Sequence, residues 1–164
     1  MNKAPEISEL RRKVLRDPVN LLAFGLGTGL APKAPGTFGS LFGVAIAWWT
    51  LPLGFEGRLM VTIALIVSGI WICGESARRI GVHDHAGIVW DEIAGIYLVL
   101  LVSQTSILAW ALGFGLFRLF DIWKPWPIRD LDHRLHGGLG IMLDDLVAAL
   151  YAAILLGIGG WLMF

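Results

Sequence analysis

The chain is poor in cysteine, tyrosine and charge. Cys73 is its single cysteine, so an intramolecular disulfide is impossible and thiol usage says nothing about redox compartment. Charged residues make up 16% of the 164 residues, well below the roughly 25% of ordinary soluble domains. The 13 basic and 13 acidic residues cancel to a formal net charge of +0. Without a basic surplus there is no case for nucleic-acid binding, and that class of partner is excluded. No apolar run follows the first charges, where Met1-Asn2-Lys3-Ala4-Pro5 leads into a mixed-charge stretch ending at Asp17. A secretory signal peptide is therefore not expected there.

What is abundant is apolar. Hydrophobic residues reach 56% and the mean hydropathy is +0.70. The length suits one domain, and at this size surface dominates volume, so an internal core is the harder way to hide so much apolar side chain. A lipid environment is the easier one, and residence in a membrane is expected. Four stretches carry no Asp, Glu, Lys or Arg: Ala34–Phe55, Leu59–Gly74, Ile93–Phe117 and Leu146–Phe164. A span needs about 20 apolar residues. In the first, a helix is expected from Phe38 to Trp49 or a little beyond, with Thr37 as a candidate cap. The third is interrupted by Ser103-Gln104-Thr105-Ser106 and reads as a hairpin turning near Gln104.

That hairpin matters because of parity. With it, the polar segments Met1–Lys33, Glu75–Glu92 and Arg118–Asp145 all lie on one side. Every Lys and Arg but one then shares that side and Arg58 alone is left on the other, the pattern of a cytoplasmic face. The expected architecture is an all-α, multi-helix membrane bundle with its active site at one membrane face. Residues 1–33 form an amphipathic cytoplasmic segment and 34–164 the helical membrane domain, a single domain overall. The same sequence is compatible with a homo-oligomer.

Four motifs could carry chemistry. Gly25-Leu26-Gly27-Thr28-Gly29 precedes Pro35-Gly36-Thr37-Phe38-Gly39-Ser40. A helix starting there aims N–H groups at an anion, with Gly36 allowing close approach and Thr37 and Ser40 offering hydroxyls; the same residues also suit a plain turn and cap. His83-Asp84-His85 leads to Trp90-Asp91-Glu92, where carboxylates enter an apolar run. Such acids are costly in a membrane and tend to be functional, and Asp84, seven residues before Asp91, could share its face. The two histidines lack a matching pair at zinc-ligand spacing. Arg118, Asp121 and Lys124 fall on one helix stripe, which Pro125 ends; Arg and Lys suit phosphate. Finally Asp130, Asp132, Arg134 and His136 lead through glycines to Asp144-Asp145, expected to open the last apolar helix. Paired acids at such a boundary suit Mg²⁺, which takes one or two carboxylates together with substrate phosphate. The Cys-x5-Arg spacing of Cys73 and Arg79 is a decoy: no strand precedes it, and a buried Cys commonly acts as a small hydrophobe.

Taken together and in order, four segments resemble the phosphatidylglycerophosphatase A family over most of the chain, from about Gly25 onward. They are Ala34–Ser40, Val89-Trp90-Asp91-Glu92, Phe117–Pro127 and His136–Asp145. Gly81–Gly87 departs from the family pattern, since His85 follows Asp84 where that pattern has an Asp-Pro pair. The resemblance implies a Mg²⁺-dependent enzyme of the bacterial inner membrane that hydrolyses phosphatidylglycerophosphate. Asp91, Glu92, Asp121, Asp144 and Asp145 are the expected metal ligands and, with Lys124, the expected catalytic groups. Gly36, Thr37, Ser40, Arg118, Arg134 and His136 are expected to bind substrate, His136 also as an acid for the leaving alkoxide. Attack by water and a covalent aspartyl-phosphate both fit these residues. The opposed reading is a small non-enzymatic membrane subunit or ion carrier, whose acids belong in mid-helix.

Overall fold

The structure is a computed structural model that describes residues 7–82, 85–126, 128 and 137–163. Among them there is no strand. Helix α1 (Ile7–Arg16) and α2 (Pro18–Ala23) lead through a 3-10 segment (Gly25–Leu30) into α3 (Pro35–Trp49), α4 (Gly54–Ile80), α5 (Trp90–Val102), α6 (Ile107–Trp123) and α7 (Gly138–Met163).

Helix α5 is the centre of the bundle, packed against α3, α4, α6 and α7. Beyond Glu92 its residues are apolar on every side, the signature of a buried helix, and Ile93, Ala94, Ile96, Tyr97, Val99 and Leu100 are fully enclosed. Helix α3 comes unusually close because the face it turns to α5 is small: Gly36, Gly39, Ser40, Gly43 and Ala47 are all buried. Small residues at such spacing let two helix backbones approach within a membrane. At the far end of α5, Arg58 Nη2 donates to Leu100 O at 2.7 Å. Only 6% exposed, it places positive charge at a helix C-terminus, where the dipole favours it.

The break between α5 and α6 falls at Ser103–Ser106, where the hairpin is expected. Ser106 caps α6, its hydroxyl accepting from Ala109 N at 3.1 Å. Each arm is short. The 13 residues of α5 span about 20 Å at helical rise, less than the roughly 30 Å hydrocarbon core. Two helical stretches do have the length and composition to cross, Leu51–Ile80 and Gly138–Gly159. Only 33% and 39% of their most apolar windows are buried inside the protein, whereas the core helix of a soluble protein is mostly buried. Met60, Val67 and Trp71 on α4 and Leu150, Ile154 and Ile158 on α7 are exposed, which suits a lipid-facing surface.

Three helix starts differ from expectation. Helix α3 begins at Pro35, three residues before Phe38, because proline is well suited to the first helical position. Its cap is Ala34 in the left-handed region (φ 48°), with no side-chain hydrogen bond, so Thr37 caps nothing. Helix α4 extends beyond its charge-free stretch at both ends, taking in Glu56, Arg58 and Glu75–Arg79. Helix α7 starts at Gly138 rather than at the aspartates. Gly138 lies so close to α4 that a Cβ there would collide with Ile70 O.

The N-terminal segment docks on the end of α4. Asp17 caps α2, accepting from Val19 N at 2.9 Å, and Arg79 Nη1 donates to Asp17 Oδ2 at 2.8 Å. Ser76 Oγ donates to the buried Asn20 Oδ1 at 2.9 Å. The Gly25–Leu30 segment is spent on backbone packing: a Cβ on Gly29 would strike Gly87 O, and just before the segment Val89 N donates to Ala23 O at 2.8 Å. Cys73 lies buried inside continuous helix α4, consistent with a packing residue.

Candidate active site

The hairpin returns α6 alongside α5, so the start of α5 and the end of α6 meet at one end of the bundle, beside α7. Asp91 and Glu92 stand in the first turn of α5. Arg118 and Asp121 follow one another by a turn on α6. Lys124 ends α6 in the left-handed region (φ 46°), just before Pro125, which cannot continue the helix. Asp144 and Asp145 sit six and seven residues after Gly138, where α7 begins. The expectation that they open the final helix is thus corrected. A dipole effect fades within the first turn, so simple N-terminal charge does not account for them.

These side chains line a cleft of about 350 Å³ together with Ala34, Pro35 and Gly36. Its floor is acidic. Asp91, Glu92 and Asp145 each offer an oxygen, and these oxygens lie within 4.8 Å of one another. Asp91 is 8% exposed and Asp145 3%. Glu92 Oε2 and Asp145 Oδ2 are buried and accept no hydrogen bond from the described residues. Burying carboxylates side by side is expensive unless positive charge answers them. Burial, and next the Asp145 carboxylate, push Glu92 up to about 8; a cation in the cluster acts in the opposite sense.

The walls supply part of the answering charge. Arg118 forms a close ion pair with Asp121 and lies 3.9 Å from Glu92 Oε1. Its Nη1 is also 3.5 Å from Ser40 Oγ, and that hydroxyl donates to Gly36 O at 2.8 Å. Lys124 Nζ meets Asp144 Oδ2 at 2.7 Å, and Asp145 N donates to Asp144 Oδ1 at 3.1 Å. Among the described residues, five carboxylates therefore face two cationic side chains. Of the five expected ligands, Asp91, Glu92 and Asp145 cluster, whereas Asp121 and Asp144 engage the arginine and the lysine.

Gly36 fits its expected place. A Cβ there would run into Glu92 Oε1 and sit 3.1 Å from Arg118 Nη1, so the start of α3 can approach the acids only through glycine. The backbone cradle is smaller than expected: Pro35 has no N–H, and Thr37 N donates to Ala34 O at 3.0 Å. Thr37 is half-buried and does not line the cleft, and Ser40 meets Arg118 rather than the cavity. Arg134 and His136 lie outside the described residues, as do Asp84, Asp130 and Asp132. The apolar lining from Ala86, Ile88 and Ile122 was not legible in the sequence, since isolated apolar residues carry no pattern. The early start of α3 was missed, although Pro35, suited to a first helical position, was the signal that could have found it.

A family model described as Phosphatidylglycerophosphatase A matches residues 21–159. The chain belongs to the phosphatidylglycerophosphatase A family. A Phosphatidylglycerophosphatase A of Escherichia coli K12 is 44% identical over 151 residues, covering 90% of this chain and 86% of that protein. One of Haemophilus influenzae is also 44% identical, covering 91% of this chain and 93% of its own length. A Bacteroides thetaiotaomicron protein with the name "Putative phosphatidylinositol-3-phosphatase" is 36% identical over 87% of this chain and 94% of its own. No solved structure matches. As a member of the family the chain is an enzyme, a phosphatase, and the quoted motifs supply every residue of the acidic cluster.

Proposed function

We propose that the chain removes the terminal phosphate of phosphatidylglycerophosphate, releasing phosphatidylglycerol and inorganic phosphate as a step of phospholipid biosynthesis. The reaction is Mg²⁺-dependent and takes place at the cytoplasmic face of a bacterial inner membrane, in a multi-pass protein. The observation that carries this reading is the Asp91, Glu92 and Asp145 cluster beside Arg118 and Lys124, in a chain 44% identical to two proteins named for that substrate.

The cluster suits a hard divalent cation. All its donors are oxygens, they converge within 4.8 Å, and two of those side chains keep buried oxygens without hydrogen-bond donors. Mg²⁺ favours carboxylates and shares its remaining sites with water and phosphate. When bound there it supplies neutralisation of the phosphoryl oxygens and acidifies water.

The chain's own residues do the rest. Arg118 presents a planar fork and Lys124 a point charge to the phosphoryl oxygens, and such charge stabilisation supplies most of the barrier lowering in reactions of this kind. Asp121 and Asp144 hold those cations in place. Gly36 N–H adds the positive end of the α3 dipole. From the segment outside the described residues, Arg134 contributes a third cation and His136 protonates the leaving alkoxide. The apolar wall of Ile88 and Ile122 accepts the lipid side of the headgroup.

The test is a substrate panel with purified protein in lipid: phosphatidylglycerophosphate, phosphatidic acid and phosphatidylinositol 3-phosphate. Release of phosphate from the first, at least tenfold faster than from the others, is the expected result. Preference for phosphatidylinositol 3-phosphate would reassign the substrate.

A further inference from the structure

A second charged cavity lies apart from the acidic cleft. It has a volume of about 330 Å³ and is lined by Arg12, Lys13, Arg16, Asp17, Asn20 and Arg79. Four cations there face one carboxylate, the reverse of the acidic cleft. That carboxylate is already engaged: Asp17 accepts from Arg79 at 2.8 and 2.9 Å and caps α2. Lys13 pairs with Glu9 at 3.1 Å on the exposed face of α1. Arg12 and Arg16, by contrast, are exposed and make no ion pair or hydrogen bond with the described residues, as is true of Arg11 one step along.

The cavity is also built rather than incidental. Its inner wall is the Asn20–Ser76 hydrogen bond at 2.9 Å, buried between α2 and α4, and Val14, fully buried, anchors α1 against the core. Beside the arginines stand exposed apolar side chains, Leu15 at 59% and Leu26 at 58%. A helix that shows arginines and leucines together is suited to an interface between lipid headgroups and acyl chains. A free anion in water has no use for the leucines, and nucleic acid is excluded by the neutral chain. The cavity sits at the end of α4 that carries Arg78 and Arg79, beyond the apolar part of that helix, where headgroups lie if α4 crosses.

We propose that the cavity between α1 and α4 binds the phosphate of an anionic phospholipid of the surrounding membrane, so that α1 lies on the membrane surface with Leu15 among the acyl chains. Arg12 and Arg16 close on the headgroup, and Arg79, fixed by Asp17 and Glu75, forms the rigid side. The inference is independent of the substrate read for the acidic cleft and requires only that the protein resides in a membrane.

The experiment uses the full chain with Leu15→Cys, labelled by an environment-sensitive dye; Cys73, the other cysteine, is buried. The protein is placed in nanodiscs of phosphatidylcholine alone or with phosphatidylserine. The dye is expected to shift to the blue, and to be quenched by brominated acyl chains, only in discs that contain phosphatidylserine. Arg12→Gln with Arg16→Gln weakens that response roughly thirtyfold, at about fivefold per basic residue near an anionic surface, and phosphatase activity in phosphatidylcholine discs is unchanged. Arg12→Lys with Arg16→Lys keeps most of the response. An equal shift in pure phosphatidylcholine, or a full response in the glutamine pair, overturns the proposal. So does loss of the response on adding millimolar inorganic phosphate at constant ionic strength, which would assign the cavity to a free anion.

Discussion

At the scale of single residues, the acidic cleft depends on charges that answer one another at short range. Asp145 is 3% exposed and Asp91 8%, so replacing either by asparagine removes one of the proposed cation ligands while keeping the shape. Phosphate release is expected to fall on the order of 10²- to 10³-fold, the usual cost of losing one preorganised electrostatic group, with little change in thermal unfolding. Arg118 makes a different case. Its guanidinium touches Asp121, Glu92 and Ser40 at once, which a lysine ammonium cannot reproduce. Arg118→Lys is expected to lose activity nearly as far as Arg118→Ala, and recovery by lysine would show that only net charge matters. Gly36→Ala tests geometry without touching charge. The added methyl presses on Glu92, an overpacking of about 1–3 kcal/mol, and a small misplacement of a catalytic group can cost on the order of 10²-fold in rate. Single-turnover kinetics of this variant should show slowed chemistry at saturating substrate.

At the scale of elements, the fold brings four separate stretches of sequence to one cleft, and the α5–α6 hairpin returns two of them to the same end. Its far end is secured by Arg58, whose guanidinium donates to Leu100 O. Arg58→Ala removes the shorter of two bonds to that carbonyl and leaves it the longer one from Ser103 Oγ at 3.3 Å, a cost of about 1 kcal/mol. Thermal unfolding in detergent should move to lower temperature while activity per folded molecule stays constant. A changed turnover with unchanged stability would contradict a purely structural role. The hairpin was legible in the sequence because Ser103-Gln104-Thr105-Ser106 interrupts an apolar run and because basic residues needed a common side. The starts of α3 and α7 were less legible. Charge-free stretches mark where lipid or core must be, whereas helices continue through charged residues as long as those reach water or a partner. Asp144 and Asp145 show this: the apolar run begins after them, yet the helix begins before them, at Gly138.

At the scale of the whole molecule, charge and apolar surface are segregated. The acidic cleft and the α1–α4 cavity lie toward one end, and the other end presents Trp48, Trp49, Leu53, Phe55 and Ile107. Ala86 and Trp126 are both exposed beside the cleft. Cysteines introduced at these two positions should react with an impermeant reagent from the same side of the membrane, and reaction from opposite sides would break the single-cleft arrangement. That the acids and the cations Arg118 and Lys124 belong together was legible from residue types, since acids entering apolar helices beside Arg and Lys have few inexpensive explanations. Its division of labour was not. Only the three-dimensional arrangement separates Asp91, Glu92 and Asp145, which converge, from Asp121 and Asp144, which engage Arg118 and Lys124. The central claim is that this convergent trio holds the cation on which lipid phosphate hydrolysis depends. The most direct measurement is phosphate release from phosphatidylglycerophosphate by the purified protein, titrated with Mg²⁺ after chelation, for the natural chain and for Asp91→Asn and Asp145→Asn. The account predicts no release without the ion, recovery on its return, and loss in both variants at any Mg²⁺ concentration. Release undiminished by the chelator, or retained in both variants, would contradict it.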